Sequence, residues 1–171
     1  LKRLPAHKLI EIAEQLQMPP SLASYLNVHG YYGTVRHNAK AVYQFYIGAY
    51  DGNPANLNPL PPQESAKRYL ELIGGPDKAV AAAQGAYDNG DYRWAAELLN
   101  HAVFGAPDNK GAKELLARTY DQMGYQAEAA TWRNSYLTAA AELRDGPPKK
   151  GIDRSFLIDM LYETPVERFL E

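Results

Sequence analysis

Apolar residues recur at helical spacing along most of the chain, and this pattern predicts an all-α protein. In the first segment, Leu9, Ile12 and Leu16 share one face of an amphipathic helix that Pro19 and Pro20 end. A short helix and a loop follow over 21–37. The pattern predicts further helices over 38–50, over 62–73 and, with few breaks, over 76–142.

The segment 38–50 predicts the helix with the widest apolar face. Asn38 is a plausible N-cap, and Val42, Phe45 and Tyr46 lie on one side of the helix. Further aromatic and aliphatic residues widen this stripe, so we expect the helix to be buried on more than one side. The Asp51-Gly52-Asn53-Pro54 sequence ends it in a turn.

The long helical stretch over 76–142 partly repeats itself after 34 residues. The repeat pairs small residues: Ala83 with Ala117, Gly90 with Gly124, and Ala95 with Ala129. Such a period is typical of tetratricopeptide repeats, in which small residues let two helices pack closely and glycine ends the first. The predicted fold is therefore an all-α helical bundle with two tetratricopeptide-like hairpins, broken near Asn89-Gly90, Ala106-Pro107 and Gly124.

The C-terminal residues 147–171 differ in character from the repeats. Pro147 and Pro148 indicate a linker, and an apolar pattern then predicts a short helix. Thr164 to Glu167 forms a capping-box sequence that opens another helix just before the sequence stops. We expect these residues to begin a further domain in a truncated chain.

Composition narrows the classes of function. The formal net charge is −2, so no partner of nucleic acid or anionic membrane is expected. No apolar run is long enough to predict a membrane span. The sequence contains no cysteine, which excludes disulfides, thiolate metal sites and a cysteine nucleophile.

Motifs for catalysis or cofactor binding are absent from the sequence. The four histidines have no metal-ligand spacing, and neither HxH nor HExxH occurs. The sequence also lacks GxSxG, GxGxxG and GxxxxGK[ST]. We therefore predict no catalytic residue, no metal site and no cofactor site within this chain.

The segment from Tyr31 to Asn38 concentrates polar, aromatic and cationic groups just before a predicted helix. Arg36, His37, Asn38 and a tyrosine hydroxyl are suited to binding an oxyanion at a helix N-terminus. A capped helix start beside a stacked aromatic loop explains the same residues equally simply. Both interpretations stay open from the sequence.

Aromatic residues are abundant, with thirteen tyrosines against four phenylalanines. Tyrosine and tryptophan are enriched at interfaces, where one end of the ring remains wet. Trp94 and Trp132 fall in the second helices of the two predicted repeats. Ordinary repeat packing and a role in an interface both account for them.

Three strings together resemble the dimerisation domain of bacterial zinc-dependent alkylsulfatases. They are YYGTVRHNAKAVYQFYIGAYDGNPANLNPLPP, GDYRWAAELLNHAVFGAPDN and GYQAEAATWRNSYLTAAAELRDG. The resemblance runs over about 26–146, most of the chain. It implies that residues 1–25 leave a catalytic domain absent from this chain, and that residues 147–171 lead into a sterol-carrier-like domain.

The resemblance implies a function for the parent enzyme and a role for this domain. Parent enzymes of this family have a metallo-β-lactamase fold and use binuclear zinc to hydrolyse alkyl sulfate esters such as dodecyl sulfate. The zinc ligands lie in the catalytic domain, so none is expected here. The resemblance implies a homodimer, contact with the catalytic domain of the same polypeptide, a bacterial source, and a periplasmic or secreted location. It also implies that His37, Asn38 and Tyr50 face the sulfate group of the substrate.

Three hypotheses follow. The first is a dimerisation module that pairs alkylsulfatase subunits and shapes the active-site entrance. The second is a free-standing tetratricopeptide adaptor, for which two repeats are few. The third is a small complete enzyme acting through Arg36 and His37, which lacks partner residues for catalysis.

Overall fold

The computed structural model describes residues 8–48, 50–51 and 53–148. Within these ranges the chain contains helices and no strand, which confirms the predicted all-α fold. The α-helices are α1 (Lys8–Gln15), α2 (Pro20–Ala23), α3 (Val35–Ile47), α4 (Pro62–Ile73), α5 (Pro76–Asp88), α6 (Tyr92–Gly105), α7 (Lys110–Gln126) and α8 (Ala130–Asp145). Predictions for 1–7 and 149–171, including the start of a further domain, lie outside the described residues.

The core lies among α4, α5, α6 and α7 and is built mainly from leucine and alanine. Alanines at helix crossings let the helix axes approach closely. Gly105 has the same effect, because a Cβ atom there would lie 2.6 Å from Cδ1 of Leu70. The buried residues of this cluster are Leu70, Ala79, Ala83, Leu98, Leu99, Ala102, Ala112, Leu115 and Leu116.

The second half of the chain forms two consecutive helix pairs, α5 with α6 and α7 with α8. Ala83 and Ala117 are both fully buried, as their proposed equivalence requires. Gly90 has a φ of +77° in the turn between α5 and α6, where glycine is favoured. Tetratricopeptide geometry for the two pairs stays a prediction.

Gly124 does not end its helix, contrary to the sequence prediction, because α7 continues to Gln126. A Cβ atom at Gly124 would lie 2.8 Å from Cδ2 of Leu137. Glycine is therefore required here for close packing of α7 on α8. The repeat pattern identified Gly124 as important, but the predicted role as a helix end is wrong, because the residue allows close helix packing instead.

Helix α3 begins at Val35, three residues earlier than predicted, and Thr34 rather than Asn38 is its N-cap. The Thr34 hydroxyl oxygen accepts a hydrogen bond from the backbone N–H of His37 at 2.9 Å. The expected burial of this helix was also wrong, since α3 has no buried residue. Phe45, in its apolar stripe, is 82% exposed.

Helices α1 and α3 form a smaller group beside the main bundle. Helix α1 packs against α3, and Ala13 is fully buried. The carboxylate of Glu14 joins this group to α6 by forming ion pairs with Arg36 (3.3 Å) and Arg93 (3.2 Å). In the described ranges, no helix is both long and apolar enough to cross a membrane.

Candidate functional site at the start of helix α3

The loop 29–33 is held against the start of α8. The backbone N–H of Ala130 donates to the carbonyl of Tyr31 at 2.6 Å, and the Thr131 hydroxyl donates to the carbonyl of Tyr32 at 2.8 Å. His29 Nδ1 lies 2.6 Å from Glu128 Oε1. These contacts bring the N-terminus of α3 next to α8.

His37 meets Trp132 of α8 at this junction. The indole N–H of Trp132 donates to Nδ1 of His37 at 3.2 Å, and the two rings meet edge to face. Indole is a donor only, so Nδ1 must accept. A neutral His37 ring therefore carries its proton on Nε2, where it can donate to a ligand.

Asn38 lies beside His37 in the first turn of α3, and its side chain packs over Gly33. A Cβ atom at Gly33 would lie 3.0 Å from Oδ1 of Asn38, so glycine makes room for this amide. His37 and Asn38 both line a cleft of about 500 Å³. Its lining also includes Tyr32, Thr131, Trp132, Ser135 and Tyr136.

Tyr50 is 44% exposed and follows the other end of α3. Ile47 lies ten helical positions after His37, a distance of about 15 Å along the helix axis. Within one chain the structure therefore brings His37 and Asn38 together but leaves Tyr50 at the opposite end of the helix. The sulfate-facing role of all three residues stays a prediction.

Arg36 belongs to a different cleft from His37. Its guanidinium is paired with Glu14, and it lines a cleft of about 400 Å³ together with Lys40 and Arg93. Neighbouring helix positions point about 100° apart, which separates the two side chains. The residues predicted to bind one oxyanion together therefore line two different clefts. Arg36 lies beside Glu14 of α1 and Arg93 of α6, whereas His37 and Asn38 lie beside α8.

A second cavity of about 430 Å³ adjoins the cleft at Gly33 and Asn38. Val28, Val35 and Met18 supply apolar walls, and the His29–Glu128 pair lies at its edge. Neither this cavity nor the contact of Trp132 with His37 was predicted from the sequence. Those residues are distant in the sequence, and the abundance of aromatic residues was the only available signal.

The zinc chemistry implied by the resemblance finds no site in the described part of the chain. There, no group of three or more His, Asp or Glu side chains is arranged to hold a metal ion. The residues present do not fit a binuclear zinc centre.

The sequence profile described as alkyl sulfatase dimerisation matches residues 8–146. The chain belongs to this family. The matched region includes α1 and all the later helices, so it contains the whole site described above.

Known proteins with similar sequences are sulfatases. The chain is 54% identical over 140 residues to the alkyl/aryl-sulfatase BDS1 of Saccharomyces cerevisiae, covering 82% of this chain and 22% of that protein. It is 45% identical over 168 residues to an (R)-specific secondary-alkylsulfatase of Pseudomonas sp., covering 95% and 25%. The yeast protein extends the similarity beyond bacteria.

A solved structure shares the fold. The stereoselective inverting sec-alkylsulfatase Pisa1 from Pseudomonas sp. superimposes with a TM-score of 0.81 at 49% identity, covering 85% of this chain and 23% of that one. The chain spans between 21 and 32% of the length of the curated relatives. Family membership favours the dimerisation module over the free-standing adaptor.

Proposed function

We propose that this chain is the pairing domain of an alkylsulfatase, which joins two subunits and lines the entrance to an active site elsewhere in the same polypeptide. The observation that carries the proposal is membership of the dimerisation family over residues 8–146. The exposed apolar face of α3 supports it, because such a surface is typical of an interface. We place the pairing domain at 26–146, as the resemblance implies.

The proposed substrate of the whole protein is an alkyl sulfate ester. His37 and Asn38 offer neighbouring hydrogen-bond donors, which suit a sulfate oxygen. The adjoining cavity with apolar walls suits an alkyl chain. Hydrogen-bond donors that lie beside apolar side chains suit an amphiphile, which has both a charged head group and an alkyl chain.

Hydrolysis of dodecyl sulfate by the full-length protein tests this function. His37→Leu removes the proposed donor and should lower kcat/KM at least tenfold, because a hydrogen bond to a charged group contributes about 1.5–3 kcal/mol. His37→Gln retains an N–H near the position of Nε2 and should keep part of the activity.

His101 provides the matched control, since its ring packs at a tilt against Tyr69 with ring centroids 4.4 Å apart and does not line the cleft. His101→Leu should leave kcat/KM within a factor of about two. Failure of the unmodified protein to release sulfate would contradict the proposed activity. Equal losses in the two leucine variants would contradict the role of His37.

A further inference from the structure

Arg36 lines a cleft that the proposed function does not involve. This cleft has a volume of about 400 Å³ and lies where residues of α1, α3, α6, α7 and α8 meet. We call it the cationic cleft. Its charged lining residues are Glu14, Arg36, Lys40, Asp91 and Arg93.

Positive side chains outnumber negative ones in the cationic cleft. Three cations lie there with two carboxylates, although the whole chain has a formal net charge of −2. One of the two carboxylates, that of Asp91, is engaged as the N-cap of α6, where it accepts a hydrogen bond from the backbone N–H of Trp94 at 3.3 Å. The local excess of positive charge favours the binding of an anion.

Glu14 holds two guanidinium groups at the cleft without using all their donors. Its two carboxylate oxygens pair with one nitrogen of Arg36 at 3.3 Å and with one nitrogen of Arg93 at 3.2 Å. A guanidinium has five N–H donors in a planar fork, which suits the oxygen atoms of an oxyanion. The two arginine side chains are 50% and 65% exposed, so their remaining donors can reach a ligand.

Lys40 supplies a third cation to the cleft. It follows Arg36 by four positions, so the two side chains share one face of α3. Within the described ranges Lys40 forms no ion pair, whereas Arg36 and Arg93 both do. A bound anion would provide the negative charge that this ammonium group lacks.

We propose that the cationic cleft binds a sulfate group through Arg36, Lys40 and Arg93. The choice of sulfate rests on the proposed function, because hydrolysis of an alkyl sulfate releases inorganic sulfate. The group has two sources, the released ion and the head group of a second alkyl sulfate molecule. Tyr92 and Met123 add apolar surface to the cleft, which an alkyl chain would contact.

The cationic cleft and the cleft at His37 share a wall. Trp132 and Tyr136 line both of them. The indole N–H of Trp132 also donates to His37 at 3.2 Å. A sulfate group in the cationic cleft therefore lies next to the residue that orients His37, and the fluorescence of Trp132 should report its binding.

A fluorescence titration of this chain, in which sodium sulfate replaces sodium chloride at constant ionic strength, tests the site. The sequence contains two tryptophans, so Trp94→Phe leaves Trp132 as the sole emitter. We expect a saturable change in its emission. A parallel titration uses octyl sulfate below its micellar concentration. No saturable change with either ligand would overturn the proposal.

The two ligands distinguish the two sources of the sulfate group. Similar midpoints for sulfate and octyl sulfate would assign the site to the released ion. A lower midpoint for octyl sulfate would assign it to the head group of an amphiphile, with its chain on the apolar surface. Both results support the site only if Lys40→Gln raises the midpoint.

Two substitutions should move the sulfate midpoint in opposite directions. Lys40→Gln removes a positive charge and should weaken binding about threefold. Glu14→Gln keeps the shape of the side chain but removes a competing negative charge, so it should strengthen binding by a similar factor. Weakening by both substitutions would contradict a role for charge and overturn the proposal.

Lys67→Gln is the matched control for the loss of one positive charge. Lys67 is exposed on α4 and does not line the cationic cleft, so this substitution should leave the midpoint unchanged. If Lys67→Gln weakens binding as much as Lys40→Gln does, the attraction is not specific to the cleft and the proposal is wrong.

His37→Leu separates this inference from the proposed function. His37 does not line the cationic cleft, so its loss should leave the sulfate midpoint unchanged. If His37→Leu abolishes the response and Lys40→Gln does not alter it, sulfate binds in the cleft at α8. That result would overturn the cationic site and leave the proposed function intact. Sulfate binding that depends on Lys40, in a full-length protein without sulfatase activity, would contradict the proposed function alone.

Discussion

The indole N–H of Trp132 donates to Nδ1 of His37 across 3.2 Å, joining the first turn of α3 to the first turn of α8. The two residues are 95 positions apart in the sequence. This contact links the smaller helix group to the main bundle, and it determines which ring nitrogen of a neutral His37 carries the proton.

Trp132→Phe should remove the preference of a neutral His37 ring for one tautomer. In the unmodified chain we expect the Nε2–H form, because Nδ1 accepts from the indole. Phenylalanine keeps an aromatic ring but removes the donor, so both tautomers should become populated. Long-range ¹H–¹⁵N correlation spectra of the histidine side chains distinguish the two forms.

The signals of His101 serve as an internal control in the same spectra, because its ring packs against Tyr69 and not against Trp132. They should stay unchanged in Trp132→Phe. An Nδ1–H form of His37 in the unmodified chain would contradict the hydrogen bond. So would an unchanged His37 signal in the variant.

Replacement of two helical glycines by alanine should have opposite effects on the unfolding free energy. At Gly85 of α5 a Cβ atom meets nothing within 4 Å, so Gly85→Ala should stabilise the fold by about 0.5–1 kcal/mol. At Gly124 the added methyl group would overlap Leu137, and overpacking costs about 1–3 kcal/mol. Urea unfolding of the two variants measures the difference.

The sign of the change in unfolding free energy for Gly124→Ala tests whether glycine is needed for the close packing of α7 on α8. We expect a net loss of about 1 kcal/mol, because the gain in helix propensity only partly offsets the overlap. Equal stabilisation by both substitutions would mean that α7 and α8 are less closely packed than described.

Tyr120 predicts a decline in stability at alkaline pH. Burial, and secondarily the charge of Tyr136, raise the pKa of the Tyr120 phenol above its ordinary value of 10.0. The contribution of the neutral, buried Tyr120 to folding stability is fully present below pH 10.0. It is lost as the pH rises from there through the higher folded-state pKa, because the unfolded chain ionises first.

The Tyr120→Phe variant isolates this contribution. Its unfolding free energy should fall less steeply between pH 10 and 11 than that of the unmodified chain. Tyr125→Phe is the control, because Tyr125 is 72% exposed and should leave the slope unchanged. Identical slopes in all three proteins would argue against an effect of burial on Tyr120.

The sequence predicted local features well where neighbouring residues determine them. The prediction of a helix over 62–73 agrees with the bounds of α4, since prolines precede it and Gly74 follows it in the left-handed region. It missed the start of α3, because Thr34 and Asn38 are both good capping residues and only the structure shows which one caps.

Features that depend on distant contacts were harder to predict. The fraction of Phe45 left exposed depends on what packs against α3, which periodicity does not report. The contact of Trp132 with His37 needs the fold of the intervening residues. Resemblance to a family, rather than local pattern, indicated His37, Asn38 and Tyr50.

The native mass of this polypeptide, measured by light scattering over a dilution series, tests the central claim of pairing most directly. We expect a dimer of about 38 kDa, twice the 19.0 kDa chain mass, which persists into the micromolar range. We also expect Phe45→Asp, which places a charge in the exposed apolar stripe of α3, to shift the dimer towards monomer. A mass of 19.0 kDa at every concentration would contradict the claim that this domain pairs on its own.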